Sequence, residues 1–183
     1  MNVKRGHGIL QQIIHEMLKQ SDNLTTNSVF KKLGERYYKT QGTWQNSISA
    51  VKAILAPLAG INFKQNRVND GSGLSRYDLI SPHQLIQLLY YINHNHRIRP
   101  ALRNALPIAG KDGTLEDRMI NQKKSEHIRA KTGSMTGVLS LAGYIETKNH
   151  GEVSFAMMMN NIIERHRKYM TLEDKICEFL AAS

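Results

Sequence analysis

His127-Ile128-Arg129-Ala130-Lys131-Thr132, Val138-Leu139-Ser140-Leu141-Ala142-Gly143-Tyr144-Ile145-Glu146 and Glu152-Val153-Ser154-Phe155-Ala156-Met157-Met158-Met159 follow one another in the last third of the chain. Each run is the length of a strand and holds β-branched, aromatic or long apolar residues. Lys148-Asn149-His150-Gly151 has the chemistry of a hairpin turn between the last two. Three short runs joined by tight turns predict an antiparallel meander. Thr171 is placed to cap a terminal helix holding Leu172, Ile176, Phe179 and Leu180, which would cover the sheet.

Upstream, the apolar period changes to that of a helix. Ile9, Leu10, Ile13, Ile14, Met17 and Leu18 predict an amphipathic helix ending near Gln20. A second is expected from about Thr26 to Tyr38, with Val29, Phe30, Leu33 and Tyr37 on one face, and a third through Ile48, Val51, Ile54, Leu55 and Leu58. Ile61 to Val68 reads as a short strand, followed by the turn-rich Asp70-Gly71-Ser72-Gly73-Leu74-Ser75. Ser81-Pro82-His83-Gln84 reads as N-cap, proline at the first helical position and capping-box Gln, opening a helix with Leu85, Leu88, Leu89 and Ile92 inward. Short helical pieces are expected around 100–106 and 115–120, separated by the loop Ala109-Gly110-Lys111-Asp112-Gly113. Helices first, then a meander, then a covering helix is an α+β plan. No internal repeat or linker divides the sequence.

At 183 residues with 40% apolar and 22% charged residues, the chain can bury a sizeable core and has no disordered or low-complexity tract. No apolar run approaches the length of a membrane span. The opening Met1 to His7 lacks the apolar segment of a secretory signal. The net charge of +10 is spread along the chain, with only short clusters such as Arg165-His166-Arg167-Lys168. Without a nucleic-acid-binding signature it reads as a solvated basic surface, and no nucleic-acid partner is implied. Cys177 is the only cysteine, so no intrachain disulfide can form, and its apolar helical surroundings predict a buried structural thiol. His94 and His96 lack a third ligand at a standard spacing, so they read as a polar helix end and no metal or other cofactor is implied. The run Met157-Met158-Met159 reads as sheet core.

Two polar stretches stand apart from this scaffold. In Lys131-Thr132-Gly133-Ser134, the lysine favours an anionic substrate, two hydroxyls can hold a carboxylate, and Gly133 admits a close substrate backbone. The Ser134 N–H is placed to serve as an oxyanion donor. The bland alternative is a polar strand end entering a turn. In Ser21-Asp22-Asn23, Ser21 can relay a proton and Asn23 can hold a peptide group; the alternative is ordinary capping of the next helix. Each tripeptide should arise by chance in roughly a few per cent of chains this long, and both in order in about one in a thousand. Together they favour a site.

Lys131-Thr132-Gly133 and Ser21-Asp22-Asn23 resemble the third and second signatures of the penicillin-recognising serine enzymes, whose first is a Ser-x-x-Lys bearing the nucleophile. The resemblance narrows to class C low-molecular-mass penicillin-binding proteins, which are D-alanyl-D-alanine carboxypeptidases/endopeptidases of bacterial cell walls. It extends to Gly42-Thr43-Trp44, Asp70-Gly71-Ser72-Gly73-Leu74-Ser75, Leu106-Pro107-Ile108-Ala109-Gly110 and Asp112-Gly113-Thr114-Leu115, covering about residues 10 to 160. The resemblance implies a partial serine β-lactamase/transpeptidase-like fold, with residues 1–183 forming the C-terminal portion of the domain and the nucleophile-bearing portion absent. It implies Ser21 and Lys131 as a catalytic relay, Asn23 as a clamp on the acyl side, and Thr132, Gly133 and Ser134 as binding groups for the terminal carboxylate and oxyanion. Peptidoglycan stem peptides and β-lactams are the implied ligands, in the periplasm or cell envelope.

The residues ahead of Ser21 contain no serine. Two later matches to Ser-x-x-Lys, Ser28 to Lys31 and Ser49 to Lys52, follow Ser21, whereas the family's nucleophile precedes it; neither is taken as the nucleophile. The chain alone is therefore expected to be inactive, and the strand over Val153 to Met159 to lie at a sheet edge. An alternative is a non-catalytic module that binds wall peptides or pairs with a separate N-terminal chain.

Overall fold

Helix formation follows the apolar periodicity, with polar caps setting the boundaries. In the computed structural model, residues 3–120 and 127–183 are described, with side chains from residue 8 onward, so the side chains of the opening stretch to His7 lie outside the described residues. The helices are α1 (Val3–Gln20), α2 (Asn23–Tyr38), α3 (Trp44–Ala59), α4 (Pro82–Asn93), α5 (Arg99–Ala105) and α6 (Arg167–Ala182). The strands β1 (Ile128–Met135), β2 (Val138–Thr147) and β3 (Gly151–Asn160) make one antiparallel sheet in the order β1-β2-β3. The α+β plan and the meander stand as expected. The chain divides into two compact units, Met1–Ser21 with His96–Ser183, and Asp22–Asn95. The crossing points Ser21-Asp22 and Asn95-His96 have no linker-like composition, which is why the sequence alone shows no division.

In the first unit, β2 pairs with β1 and β3 without a bulge. Its core gathers Leu115, Ile128, Ala130, Leu141, Ile145, Phe155, Cys177 and Ala181 between one sheet face and α6. Leu115, Ile128, Leu141 and Ile145 are under 2% exposed, and burying each contributes about 1.5–3 kcal/mol. Cys177 is fully buried, and burial pushes its thiol up to about 12, so it is an inert core residue.

Beside that core, Arg118 donates to Glu173 at 3.0 Å, to Asp174 at 2.6 Å and 2.9 Å, and to the Met170 carbonyl. Glu173 is completely buried. Burial pushes its carboxyl above the usual range despite the Arg118 hydrogen bond, and its second oxygen has no hydrogen-bond partner among the described residues.

In the second unit, Asp22 caps α2 by accepting from the Leu24 and Thr25 N–H groups, so α2 begins at Asn23 rather than near Thr26. Thr43 caps α3. The expected capping box on α4 is present in both directions: Ser81 accepts from the Gln84 N–H, and Gln84 accepts from the Ser81 N–H. Asn27 on α2 pins the glycine-rich loop by accepting from the N–H groups of Gly71 and Ser72. A Cβ on Gly71 would run into the Phe30 ring, which accounts for glycine there.

Four expectations are corrected. Ile61 to Val68 is not a strand: it holds a 3-10 turn at Phe63–Gln65, set by the Asn62 side chain, and a single bridge from Arg67 to Leu79. The expected helix over 115–120 is only a 3-10 turn at Gly113–Leu115; Met119, with φ 59°, ends any continuation. Thr171 does not cap α6. Its hydroxyl bonds back to the Arg167 carbonyl inside a helix that begins four residues earlier. Phe179 is 73% exposed, because Glu173, Cys177 and Ala181 hold the covered face of α6.

Candidate active site

The site begins with the alternation of β1. Ile128 and Ala130 point into the core, so Thr132 and Ser134 continue the same row on that face. The row turns polar and less buried at Thr132 and Ser134. The expectation of a strand ending at Thr132 is too short; pairing runs on through Met135, opposite Val138. Gly133 pairs with Ser140, and a Cβ there would collide with the Ser140 hydroxyl.

Backbone direction follows the same period. The Ala130 N–H donates to the Pro107 carbonyl, and the Ile128 carbonyl accepts from Ala109. Even-numbered residues of β1 therefore turn their N–H and C=O groups away from β2. By that alternation the Ser134 N–H points off the edge of the sheet, as an oxyanion donor must.

Lys131 lies on the opposite face from Thr132 and Ser134. Its Nζ donates to Ser21 Oγ at 2.6 Å and to the Thr132 carbonyl at 2.6 Å, joining residues 110 apart in sequence. Burial lowers the Lys131 amine from 10.5 to about 8. Ser21 directly follows α1 and has φ 55°, a left-handed conformation costing a serine about 1–2 kcal/mol. Such strain persists where the surroundings over-determine it. Asn23 is the first residue of α2, in the second unit.

Within the first unit, a loop that sequence reasoning assigned no chemical role joins α1 to β1. The Lys19 side chain, 5% exposed, donates to the Leu106 carbonyl at 2.8 Å and to both Asp112 oxygens at 2.6 Å. Asp112 also accepts from the Ile108 N–H. Burial works to raise the Asp112 carboxyl, yet these hydrogen bonds and the Lys19 charge hold it below its ordinary value. Two residues on, the Thr114 hydroxyl meets that of Thr132 at 2.8 Å. From the other side, Ser134 Oγ lies 3.1 Å from Nδ1 of His166, the residue before α6. No spacing in the sequence signals either contact.

The internal Ser-x-x-Lys at Ser28 is engaged elsewhere: Ser28 Oγ donates to the Leu24 carbonyl, and Lys31 Nζ lies 4.4 Å from the centre of the Trp44 ring. Among the described residues no group of His, Cys, Asp and Glu could hold a metal ion, and no helix is long and apolar enough to cross a membrane.

Comparison with known proteins places the sequence and fold in a family. The profile of the D-Ala-D-Ala carboxypeptidase 3 (S13) family matches residues 8–183. The chain is 37% identical over 153 residues to the D-alanyl-D-alanine carboxypeptidase DacB of Haemophilus influenzae, covering 82% of this chain and 32% of that protein. It is 31% identical to the D-alanyl-D-alanine carboxypeptidase of an Actinomadura species, covering 82% and 28% respectively. It thus spans about a third of the length of these relatives. The crystal structure of penicillin binding protein 4 (dacB) from Haemophilus influenzae matches with a TM-score of 0.86 at 32% identity, over 95% of this chain and 40% of that one. A class A β-lactamase from Bacteroides cellulosilyticus, at 17% identity and a TM-score of 0.67, covers 94% of this chain and 62% of that one and shares the fold alone.

Proposed function

Because this chain belongs to the D-Ala-D-Ala carboxypeptidase 3 (S13) family, we propose that it carries the proton relay and carboxylate cradle of a serine D-Ala-D-Ala carboxypeptidase/endopeptidase. Its substrates on this reading are peptidoglycan stem peptides in the periplasm or cell envelope, and β-lactams are its inhibitors. A serine from a Ser-x-x-Lys motif bonds to the carbonyl carbon between two D-alanines, and the C–N bond breaks. Ser21 passes a proton to the departing nitrogen. Lys131, with its amine brought down to about 8, replaces that proton or holds Ser21 in line. Asn23 orients the acyl side, Thr132 and Ser134 hold the terminal carboxylate, Gly133 leaves room for the backbone, and the Ser134 N–H stabilises the oxyanion. Water then hydrolyses the acyl-enzyme.

The observation that carries this reading is the 2.6 Å contact between Lys131 Nζ and Ser21 Oγ. A capping role for Ser21 would not need it, and Asp22 already caps α2. On this reading the nucleophile belongs to a Ser-x-x-Lys that precedes Ser21, and no serine stands among residues 1–20. The same fact favours a second reading, a non-catalytic peptide-binding module or the partner of a separate nucleophile-bearing chain, which co-purification with such a chain would select.

The test uses a fluorescent penicillin. The 183 residues alone should take no covalent label. A protein in which a Ser-x-x-Lys segment precedes them should be acylated, and Ser21→Ala or Lys131→Met should slow that by about 10²–10⁴-fold. Labelling of the isolated chain, or undiminished acylation of both variants, would sink the reading.

A further inference from the structure

We propose that His166 is a positioning residue of the carboxylate cradle, acting through Ser134, and that with Thr114 it sets the direction in which the two cradle hydroxyls donate. This rests on the reading of Thr132 and Ser134 as the groups that hold a terminal carboxylate. Thr132 Oγ1 has Thr114 Oγ1 at 2.8 Å, and Ser134 Oγ has His166 Nδ1 at 3.1 Å.

A hydroxyl carries one proton and can donate it once, whereas a carboxylate only accepts. In the empty site either direction is open at each contact. When a carboxylate arrives, Thr132 and Ser134 must both turn their protons towards it. Each then offers only lone pairs to the partner behind it, so that partner must become the donor. Thr114 can do this by rotating its hydroxyl. The imidazole can do it only with a proton on Nδ1, in that neutral tautomer or as imidazolium. A bound carboxylate therefore selects the Nδ1–H form of His166, and a donor behind Ser134 strengthens the hydrogen bond Ser134 makes in turn.

The fold supplies the means. Ser134 ends the row Ile128, Ala130, Thr132 on the α6-facing side of β1, and His166 is the residue on which α6 starts. Of the neighbouring acids and bases in that run, Glu164 is engaged by Lys168 at 2.6 Å. The cluster Arg165-His166-Arg167-Lys168, read from sequence as solvated surface, thus places one specific donor behind the cradle.

The expected consequence is a preference for ligands ending in a free carboxylate over those ending in an amide, because charge-assisted acceptors draw most from a well-backed hydroxyl. The experiment titrates the 15N-labelled chain with N-acetyl-D-alanyl-D-alanine and with its C-terminal amide, observed by NMR. The acid should shift the amides of Thr132 and Ser134, move His166 Nδ1 to its protonated position, and bind about tenfold more tightly than the amide. His166→Phe should remove most of that preference. His166→Asn, whose amide nitrogen can take the place of Nδ1, should restore it. An acid complex in which Nδ1 is unprotonated, or a His166→Phe variant with the wild-type preference, overturns the role of His166 and leaves the cradle standing. An acid that leaves Thr132 and Ser134 unshifted overturns the cradle, and the inference about His166 falls with it. The Nδ1 measurement is made on the unaltered chain, so it decides the matter even where a variant fails to fold.

Discussion

Lys131 bears the clearest residue-scale consequence. Its folded-state pKa is about 8 against 10.5 unperturbed, because burial disfavours the ammonium. Between those values the unfolded chain binds more protons than the folded one, so this group makes stability rise with pH from about 8 to 10.5. Lys131→Met should flatten that rise in denaturant titrations run across the interval; an unchanged pH slope would show that the amine is not desolvated. Gly113 makes a second case. It has φ 58°, and a Cβ would lie 2.7 Å from the Lys19 carbonyl oxygen, so neither conformation nor space admits a side chain. Gly113→Ala should cost about 1–3 kcal/mol and lower the melting temperature. In the nucleophile-bearing protein it should also slow acylation, since Thr114 and the Lys19–Asp112 pair move with it.

Among the elements, α4 and α6 show how a boundary is set. The capping box on α4 joins two residues three apart, within one turn, which is why it can be read directly from Ser81 and Gln84. Ser81→Ala should destabilise the second unit by about 1 kcal/mol, measurable by urea unfolding. Nothing comparable marks the start of α6, whose position depends on what it covers. Its buried Glu173 and half-buried Asp174 are held by Arg118, which arrives from the turn region more than fifty residues earlier. Arg118→Met would leave Glu173 buried with no counter-charge and should cost about 3–5 kcal/mol. Because burial raises the Glu173 carboxyl, that loss should shrink as pH falls and the acid takes up its proton.

At the scale of the whole molecule, both β1 and β3 are edge strands of the sheet, with the outer side of β1 closed at its start by residues 107–109. Several large apolar side chains are exposed in the first unit, including Ile9, Leu10, Phe179 and Ile163. Free edges and exposed apolar surface favour self-association. Sedimentation of the 183 residues should show a molecular mass that grows with concentration, and a constant monomer mass would count against it. The helices, the meander and the motif residues were legible from local pattern, because amphipathic period, turn chemistry and capping act within a few residues. The same local signals misplaced the 3-10 turns, the start of α6 and the face of Phe179, where packing against distant segments overrides propensity. For the site, residue types at Ser21, Lys131, Thr132, Gly133 and Ser134 suggested the chemistry proposed for it, since hydroxyls, an amine and a glycine are what carboxylate and oxyanion binding require. Their arrangement was not readable in the same way. That Lys131 reaches Ser21, that the polar end of the β1 row lies beside the start of α6, and that Thr114 and His166 stand behind the two hydroxyls all depend on contacts between residues far apart in the chain. Such contacts leave no periodic trace, because they arise only when separate elements pack against one another.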